Sequence, residues 1–305
     1  MNYAPIALFT YNRYKHTRQT IESLLKNSLA QESELYIFSD GAKKGDEEKV
    51  ESVRAYLKTI SGFKAVHIKY GEQNKGLANS IIDGVTSLFQ KYPSVIVLED
   101  DLQTSPHFLQ FMNDALNHYS PNEIWSIAGY SPNIKIPSSY QFDSFLVHRN
   151  CSWGWATWKQ NWEKTDWNIS GFNDFFVDKS KRKKFERGGN DLSIMFLKQQ
   201  MQVIHSWSVR FNFGAFTYNL PTVYPVKSLV KNLGVDGSGT HMKQSSKYNT
   251  TLATNSVINT NYCSYNNFNT IIEHRFKRFY NTSLYRRVIN LYKTFKAVKS
   301  IKKPR

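Results

Sequence analysis

Ser94-Val-Ile-Val-Leu-Glu-Asp-Asp101 is a short apolar, β-branched run that ends in three adjacent acids. Such a run reads as a buried central strand, because a strand covered on both faces needs no polar alternation. Three carboxylates at its carboxyl end repel one another unless a cation lies among them, and a divalent metal is the simplest neutraliser. In an open α/β sheet ligands bind in the crevice outside the carboxyl ends of the strands, so the triplet also marks a place. The competing reading is a solvated turn after a strand.

Upstream, Pro5-Ile-Ala-Leu-Phe-Thr10, Leu35-Tyr-Ile-Phe-Ser39 and Ala65-Val-His-Ile-Lys-Tyr70 read as three further strands. The spacing predicts helices over 17–29, 46–60 and 77–92 between them. Downstream, Ser105-Pro106 opens a helix running to Tyr119, with proline at its first position, and Trp125-Ser-Ile-Ala-Gly129 looks like another strand. This succession implies an α/β fold with a mostly parallel sheet and covering helices. From about residue 131 the texture changes to aromatic, Gly-rich and Asn-rich loops. The expected organisation is a nucleotide-binding half over 1–130, an active-site-completing half that holds a second substrate over 131–265, and a tail over 266–305.

The 305 residues, 40% hydrophobic, can bury a substantial core. No apolar run is long enough for a membrane span. The first residues lack a basic region ahead of their apolar ones, so a signal peptide is not expected and the protein is read as cytoplasmic. Cys151 and Cys263 are far apart and lack metal-type spacing, which suits reduced thiols. The net charge of +16 invites a nucleic-acid reading, but eleven of the 40 basic residues lie between Arg275 and Arg305, where there is no acid. The remainder carries 29 basic against 24 acidic residues, so the charge belongs to the tail and no nucleic-acid partner is expected. Within that tail Leu284, Val288, Leu291, Phe295, Val298 and Ile301 form one apolar stripe of a basic helix. A helix of this kind lies on an anionic membrane surface, here the inner face, or packs on the body with a frayed end.

Four loops at the carboxyl ends of the first four strands carry polar residues suited to one ligand. They are Thr10-Tyr-Asn12-Arg13, Ser39-Asp40-Gly41, Gly71-Glu-Gln-Asn74-Lys-Gly76-Leu77 and Glu99-Asp100-Asp101. Four such loops along successive parallel strands point to a nucleotide diphosphate site. Neither the dinucleotide fingerprint GxGxxG nor the Walker pattern is present. Trp153 and Trp155, in a dense tryptophan cluster, could stack on sugar faces of an acceptor, although aromatics at this spacing are more often core. His241, in a glycine-rich segment, could be a metal ligand or a loop histidine with none.

Pro5–Arg13, Phe38–Gly41, Asn74–Leu77 and Val97–Asp101 together resemble GT-A fold glycosyltransferases. The likeness is to bacterial family 2 sugar transferases and to N-acetylglucosaminyltransferase I, which has the same Glu-Asp-Asp metal motif. It covers residues 4–130 well. Cys151-Ser-Trp-Gly-Trp-Ala-Thr-Trp158 and Gly234-Val-Asp-Gly-Ser-Gly-Thr-His241 resemble bacterial transferases of surface-polysaccharide clusters. The resemblance implies transfer of a sugar from a UDP-sugar donor to a glycan or lipid-linked acceptor, with inversion. It implies that Asp101 holds Mn²⁺ or Mg²⁺ on the donor diphosphate, that Asp100 faces the ribose, and that Glu99 faces the sugar or the metal's water shell. It sets Asp40 to accept from the uracil ring NH, puts Thr10, Asn12 and Arg13 around base and phosphate, and lets the backbone at Asn74 and Gly76 approach the nucleotide. An inverting transferase needs a general base, and the resemblance points to Asp191, ahead of a helix pattern through Gln202, with Asp236 and Asp166 as alternatives. Asp191 could instead be only an acid favoured at a helix N-terminus. A nucleotidyltransferase shares the architecture but would carry a Gly-rich basic loop after the first strand. A non-catalytic carbohydrate or polyanion binder would need no acidic triplet.

Overall fold

The computed structural model describes residues 3–234, 246–254 and 260–301, with side chains as far as residue 292. Four parallel strands form one half of an eight-stranded sheet: β1 (Ile6–Thr10), β2 (Glu34–Ser39), β3 (Ala65–Tyr70) and β4 (Ser94–Glu99). Their connections are α1 (Tyr14–Leu25), α2 (Glu47–Leu57) and α3 (Leu77–Leu88). Beyond β4 come β5 (Leu102–Thr104), α4 (Phe108–His118), β6 (Ser126–Ala128), β7 (Ser144–Val147), β8 (Trp155–Trp158) and α5 (Lys159–Glu163). Then follow α6 (Phe172–Val177), α7 (Lys179–Phe185), α8 (Asp191–Gln200), α9 (Trp207–Tyr218), β9 (Thr222–Pro225), β10 (Val230–Asn232), α10 (Thr270–Tyr280) and α11 (Leu284–Ile301).

The sheet order is β3-β2-β1-β4-β8-β6-β9-β7, and β8 lies antiparallel between β4 and β6. The sheet therefore runs without a break past residue 130. β4 explains its own sequence: Ile96 and Leu98 face a core closed by α1, α2, α4 and α10, while Val95 and Val97 face one closed by α3, α5 and α9. Both faces are covered, so the strand is apolar at every step. A third cluster packs Phe175, Phe185, Phe196 and Phe213 among α6 to α9.

Two expected boundaries move for identifiable reasons. The first helix ends at Leu25, because Asn27 turns inward to donate to Ser23 O and accept from Leu109 N. Ser105-Pro106 forms a turn in which Ser105 Oγ accepts from His107 N, and the helix starts only at Phe108. The loop-like second half holds strands and helices whose aromatic residues hide any period. Both cysteines are buried and unpaired.

Helix α10 packs on the sheet beside β7, and His148 Nδ1 lies 3.3 Å from Glu273 Oε1. That bond, opposed by burial, holds the Glu273 carboxyl below its ordinary value. A depressed carboxylate stabilises the fold above its unfolded pKa and loses that contribution as pH falls through the folded one. Glu273→Gln should therefore cost about 1 kcal/mol at neutral pH, with wild type and variant converging in urea unfolding as pH falls through the lowered Glu273 value. On α11, Leu284 and Val288 are 76% and 58% exposed, so the body leaves these positions of the apolar stripe uncovered. Among the described residues no helix is long and apolar enough to cross a membrane.

Candidate active site

The exits of β1 and β4 meet at the acidic triplet. Arg13, just ahead of α1, donates through Nη2 to Asp100 Oδ1 at 2.5 Å and to Asp101 Oδ2 at 2.9 Å. Tyr11 N–H donates to Asp100 Oδ2 at 3.2 Å. Both aspartates are buried. Burial pushes the Asp100 carboxyl up even against the Arg13 charge. Glu99 is pushed well above its ordinary range, first by burial and then by repulsion from Asp101 and Asp100. One guanidinium does not neutralise three acids, and Asp101 Oδ1 is buried with no hydrogen-bond partner.

Beyond the triplet β5 pairs with β10. β5's inner edge is held by α1, where Thr20 Oγ1 accepts from Leu102 N and Ser23 Oγ from Thr104 N. β10 leads back to the acids: Leu233 N–H donates to Asp101 O, and a Cβ at Gly234 would stand 2.1 Å from Asp101 Oδ2. A side chain there would collide with the carboxylate, so glycine at 234 lets Asp101 keep this position. Among the described residues no group of three or more His, Cys, Asp or Glu is arranged to hold a metal. A cation here would have Asp101 as its protein anchor and take its other oxygens from a ligand and water. The hard oxygen and the uncompensated charge fit Mn²⁺ or Mg²⁺. His241 and the alternative base Asp236 lie outside the described residues.

Asp40 knits the β2 and β3 exits together. Its Oδ1 accepts from Gly41 N at 2.9 Å and Lys75 N at 3.0 Å, and its Oδ2 from Gly76 N at 2.9 Å. Asn74 Nδ2 adds a bond to Gly41 O at 2.8 Å. Gly76 sits at φ +74, a conformation that L side chains rarely adopt, and this turn aims its N–H at Asp40. Arg54 of α2 ties the same two exits by donating to Asp40 O and Gly71 O. Thr10 is buried with Oγ1 unpartnered, and Asn12 is half-buried and bonds toward Asp46.

In the second half, Asp191 opens α8 and is gripped by Arg149, from the loop after β7. Nη1 to Oδ1 is 2.8 Å and Nη2 to Oδ2 is 3.0 Å. The guanidinium lies over the Tyr280 ring at 3.9 Å and also donates to Gly188 O. The charges of both Arg149 and Glu99 reach the Cys151 thiol, which burial pushes up to about 12. Asp166 accepts from Asn168, Ile169 and Ser170, which binds it into its own turn. Trp153 is half-buried and meets Tyr130 and Tyr248 edge to face. Trp155 is a correction: it is 1% exposed and stacks on Trp162 and Trp207 in the core, leaving no face for a sugar.

Residues 6–142 match the model of glycosyl transferase family 2. The match covers somewhat less than half of the chain. No curated protein matches the chain. Among solved structures, a mannosyltransferase from Pyrobaculum calidifontis in complex with GDP-Man and Mn²⁺ is 11% identical, with 52% of this chain and 46% of that one covered at a TM-score of 0.36. TarS of S. aureus is 13% identical, covering 48% and 25% at 0.31. A nucleoside-diphosphate-sugar pyrophosphorylase from Vibrio cholerae RC9 is 9% identical, covering 75% and 95% at 0.40. These scores are too low to carry an argument about chemistry, and the chain spans less than half the length of the first two.

The segment matched by the family 2 model contains all of the strand-end residues singled out in the sequence, and the fold brings them into two linked clusters. One is Arg13 with Glu99, Asp100 and Asp101, and the other is Asp40 with Asn74 and Gly76. Arg13 bonds two carboxylates through Nη2, because the buried acids need a countercharge. Arg13→Met should cost about 2–4 kcal/mol of stability, the usual penalty for stranding buried charge, and added Mn²⁺ should restore part of it in thermal unfolding. Sequence reasoning missed Arg149 and Arg54. A lone arginine beside an aromatic motif or within a charged helix carries no signal of what it will clasp.

Proposed function

We propose that the chain is a glycosyltransferase that moves a sugar from a nucleoside diphosphate donor, a UDP-sugar, to a glycan or lipid-linked acceptor. The observation that carries this reading is Asp101 Oδ1, a buried acceptor without a partner among three mutually repelling acids, at the carboxyl edge of parallel strands in the segment matched by the family 2 model. Asp101 would hold Mn²⁺ or Mg²⁺ against the donor diphosphate, and that ion would supply charge for the departing nucleoside diphosphate. Arg13 fixes a permanent positive charge at the same place. Asp40 uses three of about four acceptor positions of a carboxylate, and the one left on Oδ2 suits the NH of a uracil ring. Asp191 would take the proton from the acceptor hydroxyl as its oxygen bonds to the anomeric carbon and the sugar–phosphate bond breaks. Arg149 holds that carboxylate in place through two hydrogen bonds. Trp153 would border the acceptor.

The role in bacterial surface polysaccharide synthesis rests on the likeness of Cys151–Trp158 to such transferases, and inversion rests on the family resemblance. The uncovered stripe of α11 supports a peripheral position on the inner membrane face. Thermal shift across nucleotide sugars, with and without Mn²⁺, tests the donor. A UDP-sugar should raise the melting temperature selectively and more with the ion, and UDP should be released on adding acceptor. Stabilisation by a nucleoside triphosphate with a sugar phosphate, and release of pyrophosphate instead, would overturn the reading in favour of nucleotidyl transfer.

A further inference from the structure

Helix α7 is basic at five of its seven positions: Lys179, Lys181, Arg182, Lys183 and Lys184. Its anchor is Phe185, buried against Phe175, Phe196 and Phe213. Asp178 caps the helix by accepting from Ser180 N and Lys181 N. Among the described residues none of its four lysines makes an ion pair with an acid. Immediately before the cap, Phe176 and Val177 at the end of α6 are exposed, Val177 to 80%. A fully charged helix flank beside an exposed valine and phenylalanine is an arrangement that water alone does not favour.

The same chemistry recurs next door. α11 is fixed to the turn that follows α7 by Arg287 to Glu186 at 3.3 Å, and Asn190 just beyond accepts from Thr282 N and Oγ1. From there α11 presents exposed Leu284, Tyr285, Val288 and Tyr292 beside Arg286. Asp191 follows Asn190 directly, and α8 packs against α11.

We propose that α7, with Phe176 and Val177, is a second membrane contact, which joins α11 in one surface that seats on an anionic bilayer. Lysines meet the lipid headgroups while the apolar tips enter the boundary below them. This rests on the reading that α11 lies on a membrane, and it deepens that reading by saying which face of the enzyme looks at the lipid. The surface borders Asp191, so a lipid-linked acceptor reaches the site along the bilayer.

The test uses the full chain and cosedimentation with vesicles of phosphatidylcholine, with and without phosphatidylglycerol. Wild type should partition onto the anionic vesicles and release with salt. K181E/K183E/K184E, with the tail intact, should lose partitioning by roughly tenfold or more, and F176S/V177S should weaken it less. Both variants should keep wild-type melting temperature and UDP-sugar hydrolysis, since none of these residues belongs to the donor or base machinery. A triple variant that is folded and partitions like wild type would leave α11 as the sole contact and overturn the proposal. Absence of wild-type binding, or retention by RNA in place of vesicles, would overturn it too. Failure of UDP-sugar hydrolysis in wild type would instead strike the transferase reading and leave the vesicle result standing.

Discussion

Asp101→Asn should lower sugar transfer by roughly 10³-fold, because an ion stabilising a leaving diphosphate contributes several kcal/mol and each 1.4 kcal/mol is tenfold. The substitution keeps the shape of the side chain, and its amide oxygen can still accept from Arg13, now 2.9 Å from Oδ2. What it removes is a charge. Without ligand that removal should help the fold, since Asp101 adds its repulsion to the burial that pushes the Glu99 carboxyl up. The variant should therefore melt about 2 °C higher than wild type in chelator while being nearly inactive with Mn²⁺. Opposite signs in the two measurements identify a site built for a cation at the expense of stability. Transfer within a few-fold of wild type would take Asp101 out of that role.

Asp191→Asn should reduce kcat by roughly 10² to 10⁴ at saturating acceptor, the span expected for losing a general base, while the affinity for UDP stays the same. The ion pair with Arg149 makes the interpretation two-sided, because asparagine also weakens the grip of a guanidinium with little exposure. Arg149→Met separates the possibilities. If Asp191 takes the proton, Arg149→Met leaves the carboxylate in place and lowers kcat far less than Asp191→Asn does. If Asp191 only clasps α8 to the loop after β7, both variants lower the melting temperature and kcat is unmoved.

The first half of the fold was legible because its signals are local. A continuous apolar strand, alternating helix periods and polar strand exits each depend on neighbours within a few residues. What the exits do with their side chains was not, because pairing is decided between segments far apart in the chain. Arg13 sits 87 residues from Asp100, and its choice of the acids over a future ligand follows from burial, which a sequence does not state. Trp155-Ala-Thr-Trp158 shows the opposite difficulty. Its aromatic and β-branched residues suit a strand, yet the crowding of tryptophans around it suggested a sugar platform. The fold inserts it as β8 against β4, and its rings fill a core. Asp191 was reached through resemblance alone, and Arg149, which now defines its surroundings, had no local mark.

The burial of that aromatic cluster has an optical consequence. All seven tryptophans lie between residues 125 and 207, so the strand exits from Thr10 to Asp101 contain no indole. Trp155, Trp162 and Trp207 lie ring to ring inside the protein, shielded from solvent and able to exchange excitation. Trp153, against Tyr130 and Tyr248, is a half-buried indole outside that stack. The ultraviolet emission of this chain is thus a one-sided window: it reports on β8 and its surroundings, and the strand exits from Thr10 to Asp101 carry no indole of their own.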